Sequence, residues 1–198
     1  MLPRVAREWP GETAFLVCGG PSVLSVDLDR LRGRRVVAIN TSYDRVRWAD
    51  VLVFTDLRWW RQHRRRVTAR FTGRIVTLTP RSEMYEGMLV LERQRSGGLS
   101  SDPTRLAWWH TTVTTAINLL VLMGVSRICA LGLDGQGGWH HEPHPLGWGR
   151  NAQKFRFHAE ALEALVAPLA DAGVEMLNLN PDSAHRMFPF ATLDEVLA

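Results

Sequence analysis

The sequence predicts an α/β fold, one mostly parallel sheet covered by helices on both faces. Three observations carry it: short apolar runs, helix-like stretches between them, and runs that stop at a small or polar residue. The strand-like runs are Ala14–Cys18, Arg35–Asn40, Val51–Thr55, Arg74–Leu78, Arg127–Leu131 and Glu175–Leu179. Near-continuous apolar strands are what a sheet buried on both faces requires. The helix-like stretches are Val26–Leu31, Ser42–Trp48, Trp59–Ala69, Thr112–Met123 and Lys154–Ala172. Alternating strand and helix signals give parallel strands joined by crossovers.

Each element has its own signature. Ala14-Phe15-Leu16-Val17-Cys18 ends at Gly19-Gly20-Pro21-Ser22. That corner has two residues without Cβ, a proline suited to a helix start and a hydroxyl, so its N–H groups are expected to meet phosphate. On that reading Gly20→Val abolishes nucleotide binding and spares the fold. The last helix carries Phe157, Ala161, Leu162, Leu165, Val166 and Leu169 near helical spacing, has Pro168 inside it as a kink, and stops at Gly173. Thr79 to Trp108 and Gly135 to Gly149 fit no element, and such segments are often lids or binding loops.

At 198 residues the chain reads as a single domain (1–198) with a loop or lid insertion at about 135–150. No run approaches the ~18 apolar residues of a membrane span, and the first ten residues lack the apolar region of a signal peptide. Cys18 and Cys129 sit in apolar runs, as buried reduced thiols of a cytoplasmic protein would. Net charge is +4, yet Lys154 is the one lysine among 24 basic residues. A GC-rich coding bias is the ordinary cause. Phosphate or nucleic-acid contact is the functional one, since guanidinium binds phosphate bidentately. The stretch from Arg58 through Trp59, Trp60, Arg61, His63, Arg64, Arg65 and Arg66 to Arg70 is the candidate nucleic-acid surface. A solvated helix with both tryptophans packed inward is the competing reading.

Five strand ends place polar groups along one sheet edge: Gly19 to Ser22, Asn40 to Ser42, Thr55-Asp56, Asp134-Gly135 and Asn180 to Ser183. In open α/β sheets that edge is where ligands bind. Trp139-His140-His141-Glu142-Pro143-His144 follows Asp134, and His158 opens the last helix. A histidine accepts a hydroxyl proton near neutral pH, so His141, His144 and His158 are candidate bases. Asp134, His140 or His141, Glu142 and His144 could also gather around one divalent ion. His63, His110 and His185 read as surface or partly buried structural residues.

The order Gly19-Gly20-Pro21-Ser22, Asp27-Leu28-Asp29, Val37-Ala38-Ile39-Asn40 and Phe54-Thr55-Asp56 resembles bacterial sialyltransferase-like glycosyltransferases. It is also similar to hydroxymethylpterin diphosphokinase-like proteins. Thr111 to Ala116, Leu122 to Val125, Arg127 to Asp134 and Val174 to Ser183 continue the likeness, which spans about Thr13 to Phe190. It looks closest to phage-encoded members of this type. One departure is Val113, which stands where sialyltransferases carry a glycine. The resemblance implies a Rossmann-like transferase binding a nucleotide-sugar, of the cytidine type. It implies phosphate at Gly19, Gly20, Pro21 and Ser22, nucleotide or donor sugar at Asn40, Asp56, Thr112 and Asp134, and base or ribose at Asn180 and Ser183. The acceptor would be a glycan or a hydroxylated base in phage DNA, read by Arg61, Arg64, Arg65 and Arg66. Alternatives are a diphosphokinase-like transferase needing Mg²⁺ and ATP, and a nucleotide- or DNA-binding phage accessory protein without catalysis.

Overall fold

Apolar alternation is hidden in the sequence because both faces of each strand are buried, and the computed structural model shows where each face goes. It describes residues 3–78, 87–95, 98–140 and 152–198, and for 152–154 the backbone alone. Strands β1 (Thr13–Val17), β2 (Arg35–Ile39), β3 (Val51–Phe54) and β4 (Arg74–Thr77) lie side by side in chain order. A short β5 (Leu89–Val90) extends that edge, and β8 (Arg127–Leu131) and β9 (Glu175–Asn178) lie on the other side of β1. The seven-stranded order is β5-β4-β3-β2-β1-β8-β9, with every pairing parallel. Two more short strands, β6 (Glu92–Gln94) and β7 (Arg105–Ala107), pair separately.

Alternate residues feed two cores. Phe15, Val17, Val36, Leu52 and Phe54 pack on one face with Trp59, Trp60 and Val67 of α1 (Leu57–Arg70). The short α5 (Leu193–Leu197) joins the same side through Leu193 and Val196. Leu16, Val37, Val53 and Val76 face the other way, against Ile117 and Leu120 of α2 (Thr112–Met123). Leu162 of α3 (Ala152–Glu163) and Leu169 of α4 (Val166–Asp171) complete that second core. The result is a Rossmann-like three-layer sandwich.

Two expected helices are shorter and tighter than the sequence suggested. Leu28–Leu31 and Asn40–Asp44 are single 3₁₀ turns, and Pro21–Ser25 is another. The expected continuous helix Lys154–Ala172 is two helices that part between Glu163 and Val166. Pro168 lacks the N–H that would bond the Ala164 carbonyl, so the helical ladder cannot run through. Inside apolar α2, fully buried Asn118 accepts from Ser100 N (3.1 Å) and Ala107 N (2.7 Å) and donates to Ser100 O (2.9 Å). It ties the segment around β7 to the helix. Cys18 and Cys129 are buried free thiols, and burial pushes Cys129 up to about 12, so neither is a thiolate near neutral pH. No helix among the described residues is long and apolar enough to cross a membrane.

Candidate functional site

The strand order reverses at β1, which has β2 on one side and β8 on the other. Loops leaving the carboxyl ends of β1 and β8 therefore diverge to opposite faces and leave a crevice between them. A cleft of about 200 Å³ lies there. Gly19 and Gly20 after β1, Asn40 and Thr41 after β2, Thr111 to Val113 at the start of α2, and Gly132 to Gly135 after β8 line it. Trp59, Trp139, Phe155, His158 and His185 supply the rest of its walls.

The glycine corner holds an anion, and the anion is the chain's own. Asp134, 5% exposed, accepts from Ser22 N (2.8 Å), Ser22 Oγ (2.5 Å) and Asn180 Nδ2 (2.8 Å). The Gly20 N–H goes to the Gly132 carbonyl at 2.8 Å, and Pro21 has no N–H to give. The donors of Gly20, Pro21 and Ser22 expected to meet phosphate are thus absent or committed within the fold. Gly20 itself is required by packing, since a Cβ there would lie 2.5 Å from the Asp134 carboxylate and the Gly132 carbonyl.

Asn40 is one of two non-glycine residues with positive φ among those described, at +46°. One end of its carboxamide reaches Thr112 Oγ1 (3.4 Å), which shares a hydrogen bond with Thr55 Oγ1 (2.8 Å). The other end, Oδ1, is buried without a hydrogen-bond partner. His140 fastens the start of the 135–150 segment to the sheet edge. Its N–H bonds the Gly19 carbonyl (2.9 Å), and its Nε2 lies 3.3 Å from Ser42 Oγ. The Ser42 hydroxyl proton is directed to the Cys18 carbonyl at 2.8 Å, so Nε2 of His140 is the donor in that pair.

Chain returning from β9 closes the far side. Ser183, expected at base or ribose, is instead fully buried, donating to the carbonyls of Leu133 (2.6 Å) and Asp134 (3.2 Å). His185, read from sequence as a surface or partly buried structural residue, is 3% exposed, lines the cleft, and packs on Gly135 where a Cβ would be 2.8 Å from its ring. Gly135 has φ +69°, a second reason for glycine there. The Nδ1 of His185 has no hydrogen-bond partner. Burial lowers the pKa of this imidazole below the ordinary 6.5, and the Asp134 charge opposes that shift.

A pH dependence follows. As pH falls below 6.5 the unfolded chain takes up this proton before the folded one, so stability is full above 6.5 and declines below it. Urea unfolding between pH 7.5 and 5 should show a loss of at most about 1.4 kcal/mol per pH unit, flattened in His185→Gln. The paired carboxylates Glu12, Asp102 and Glu195 have lowered pKa values and titrate below that window.

On α3, Phe155 and His158 line the cleft one turn apart, their ring centroids 6.4 Å apart and nearly perpendicular. Trp139 faces Phe155 at 6.0 Å. His141, His144 and Glu142 lie outside the described residues, and so does most of the proposed lid. Among the described residues no three His, Cys, Asp or Glu side chains gather as a metal site. Asp56 is the N-cap of α1, accepting from Arg58 N (2.8 Å), and is not among the cleft-lining residues.

The arginine-rich stretch is α1, and its tryptophans belong to the fold. Trp60 is 1% exposed and stacks on Phe54 at 4.9 Å, while buried Trp59 stacks on His63 at 4.8 Å and donates to Thr41 Oγ1 (3.0 Å). Trp60 presents no face for an unpaired base, and Trp59 reaches the cleft wall with only a small part of its ring exposed. Asp44 gathers Arg66 (2.9 Å), Arg47 (2.7 Å) and Arg70 (3.8 Å), while Arg61 and Arg65 are exposed and Arg64 half-buried. Comparison with protein-family models, with curated proteins and with solved structures returned no match. The site therefore stands on its own geometry.

Proposed function

We propose that this chain is a glycosyltransferase-like enzyme that binds a nucleotide-activated sugar in the β1–β8 cleft and transfers the sugar to an acceptor hydroxyl. One convergence carries the reading: the N-terminal turn of α2, the rings of Trp139 and Phe155, and the imidazole of His158 all line that cleft. Among the described lining residues, which include no arginine or lysine, the helix start is the positive element. The dipole of the twelve-residue α2 favours the donor's phosphate beside Thr112, since the Thr111 N–H goes to the Trp109 carbonyl (2.7 Å) and the Val113 N–H to the Thr111 hydroxyl that caps the helix (3.3 Å). Trp139 and Phe155 offer faces for the base, and Asn40 offers its unpartnered carboxamide oxygen to a ligand donor. The glycines at 19 and 20 shape the corner, and Asp134 holds it through Ser22 and Asn180.

In the proposed reaction the acceptor oxygen attacks the anomeric carbon as the bond from that carbon to the phosphate oxygen breaks. His158 takes the acceptor's proton, and the nucleoside phosphate leaves with the electron pair, stabilised at the α2 terminus. The resemblance of the sequence to sialyltransferase-like proteins favours a cytidine nucleotide.

Calorimetric titration with CMP, CDP, UDP and GDP, followed by turnover of matching nucleotide-sugars in excess EDTA, tests this. Binding of a nucleoside phosphate with metal-independent sugar release is the expected result. ATP cleavage to AMP that depends strictly on Mg²⁺ would replace the reading with diphosphate transfer. Binding with no turnover of any donor would make the chain a non-catalytic nucleotide-binding protein.

A further inference from the structure

Large apolar side chains exposed singly are ordinary, but a contiguous exposed aromatic cluster beside a cleft is not. Trp109 is 39% exposed and Phe157 36%, and exposed His110 lies between them. The imidazole of His110 stacks on Phe157 at 5.1 Å with 16° between planes, and Trp109 meets it edge-on at 4.9 Å. His110 has φ +59°, the second non-glycine residue with positive φ among those described, and the first, Asn40, lines the cleft. A histidine held in that conformation is strained, and such strain collects at binding sites. The three side chains do not line the cleft themselves, but the cluster adjoins it in sequence on both elements that carry it. His110 precedes Thr111, Phe157 precedes His158, and Thr111 and His158 are lining residues.

We infer that Trp109, His110 and Phe157 form an acceptor subsite at the mouth of the cleft, for a neutral saccharide whose ring lies on the aromatic faces. The inference rests on the transferase reading above. Aromatic faces are electron-rich, and the C–H groups on a pyranose face are weakly positive, so the two attract while burying apolar area. A sugar seated there would hold a hydroxyl toward His158. At this end of α3 charge favours a neutral ligand over a polyanion, because the Arg156 guanidinium, next to Phe157 in sequence, is offset by Glu160 at 2.9 Å. Trp59 and Trp60, the rings nearest the arginines of α1 in sequence, are buried.

Saturation-transfer NMR with neutral trisaccharides of glucose, galactose and N-acetylhexosamine, and with a 12-mer single-stranded DNA, tests the inference on the full chain. The expected result is transfer to ring C–H protons of at least one trisaccharide. In Trp109→Ala and Phe157→Ala affinity should fall about tenfold or more, the scale of a lost ring stack, with calorimetric nucleotide affinity unchanged. Phe157→Leu, which keeps apolar volume without a ring, should lose most of the same signal. Saccharide binding that ignores these substitutions, or binding of DNA alone, overturns the subsite. No saccharide signal beside intact nucleotide binding overturns the subsite and leaves the transferase reading standing. A platform-dependent saccharide signal without nucleotide binding upholds the subsite and overturns that reading.

Discussion

His158→Ala should lower turnover by about 10²–10⁴-fold while nucleotide affinity stays that of the wild type, because a positioned general base contributes on that scale. His158 lines the cleft from α3, a rigid helix packed through Ala161 and Leu162 into the core, so the side chain is carried by structure that does not need it. A base must be neutral to accept a proton, so wild-type kcat/KM should fall at acid pH, where an imidazole is protonated. The residual rate of the variant should lose that acid limb. His158→Gln separates roles, since it keeps polarity and size but cannot take the proton. Undiminished turnover in both variants would move the base to His141 or His144.

How much of this was legible in sequence follows from how each element is held together. All six long strands announce themselves, because a strand buried on both faces must be apolar throughout, and each observed strand lies within a residue of its expected ends. The strands β5, β6 and β7 left no such mark. They are two or three residues long and partly exposed, and β7 is positioned by Asn118 of α2 rather than by its own composition. The 3₁₀ turn at Leu28–Leu31 has apolar spacing close to that of a helix, and only the missing length distinguishes the two.

The site divides the same way. Gly19, Gly20, Asn40 and Asp134 could be named because parallel strands put their carboxyl ends on one edge, whereas Thr112 rests on the family resemblance and His158 on the chemistry of histidine. The partner of Asp134 could not. Its three donors come from Ser22 and Asn180, far apart in sequence, and nothing in Gly19-Gly20-Pro21-Ser22 separates a corner that holds phosphate from one that holds a carboxylate. His185 was missed for a related reason. Chain beyond β9 is held back over Gly135 by Asn178 and Ser183 on the Leu133 carbonyl (3.1 and 2.6 Å) and by the Ala184 N–H on the Asp134 carbonyl (2.8 Å), and a lone histidine carries no trace of that return. The two conspicuous tryptophans of α1 drew attention toward nucleic acid, yet at helical spacing beside Val67 they form a core-facing stripe.

Gly20→Val should unfold or severely destabilise the protein rather than merely silence its nucleotide site. The backbone of Gly20 is extended (φ −70°, ψ 153°), a conformation any residue adopts, so the cost lies in contact and not in strain. An added Cβ would sit 2.5 Å from both the Asp134 carboxylate and the Gly132 carbonyl, and the latter is backbone fixed at the end of β8. Overpacking of this kind costs about 1–3 kcal/mol even for a single methyl, so Gly20→Ala is the measurable variant and valine the extreme. If the methyl displaces the carboxylate, its bonds to Ser22 and Asn180 loosen as well, each charge-assisted bond contributing about 1.5–3 kcal/mol. Urea unfolding of Gly20→Ala, Asp134→Ala and the double variant separates these effects. Removing the carboxylate clears half of the clash, so the double variant should be more stable than the sum of the single losses predicts, by about 0.5–3 kcal/mol. Strict additivity would show that the methyl meets the Gly132 carbonyl alone. Wild-type stability in Gly20→Ala would show that the corner yields, and the glycine would then regain its meaning as a place where a phosphate comes close.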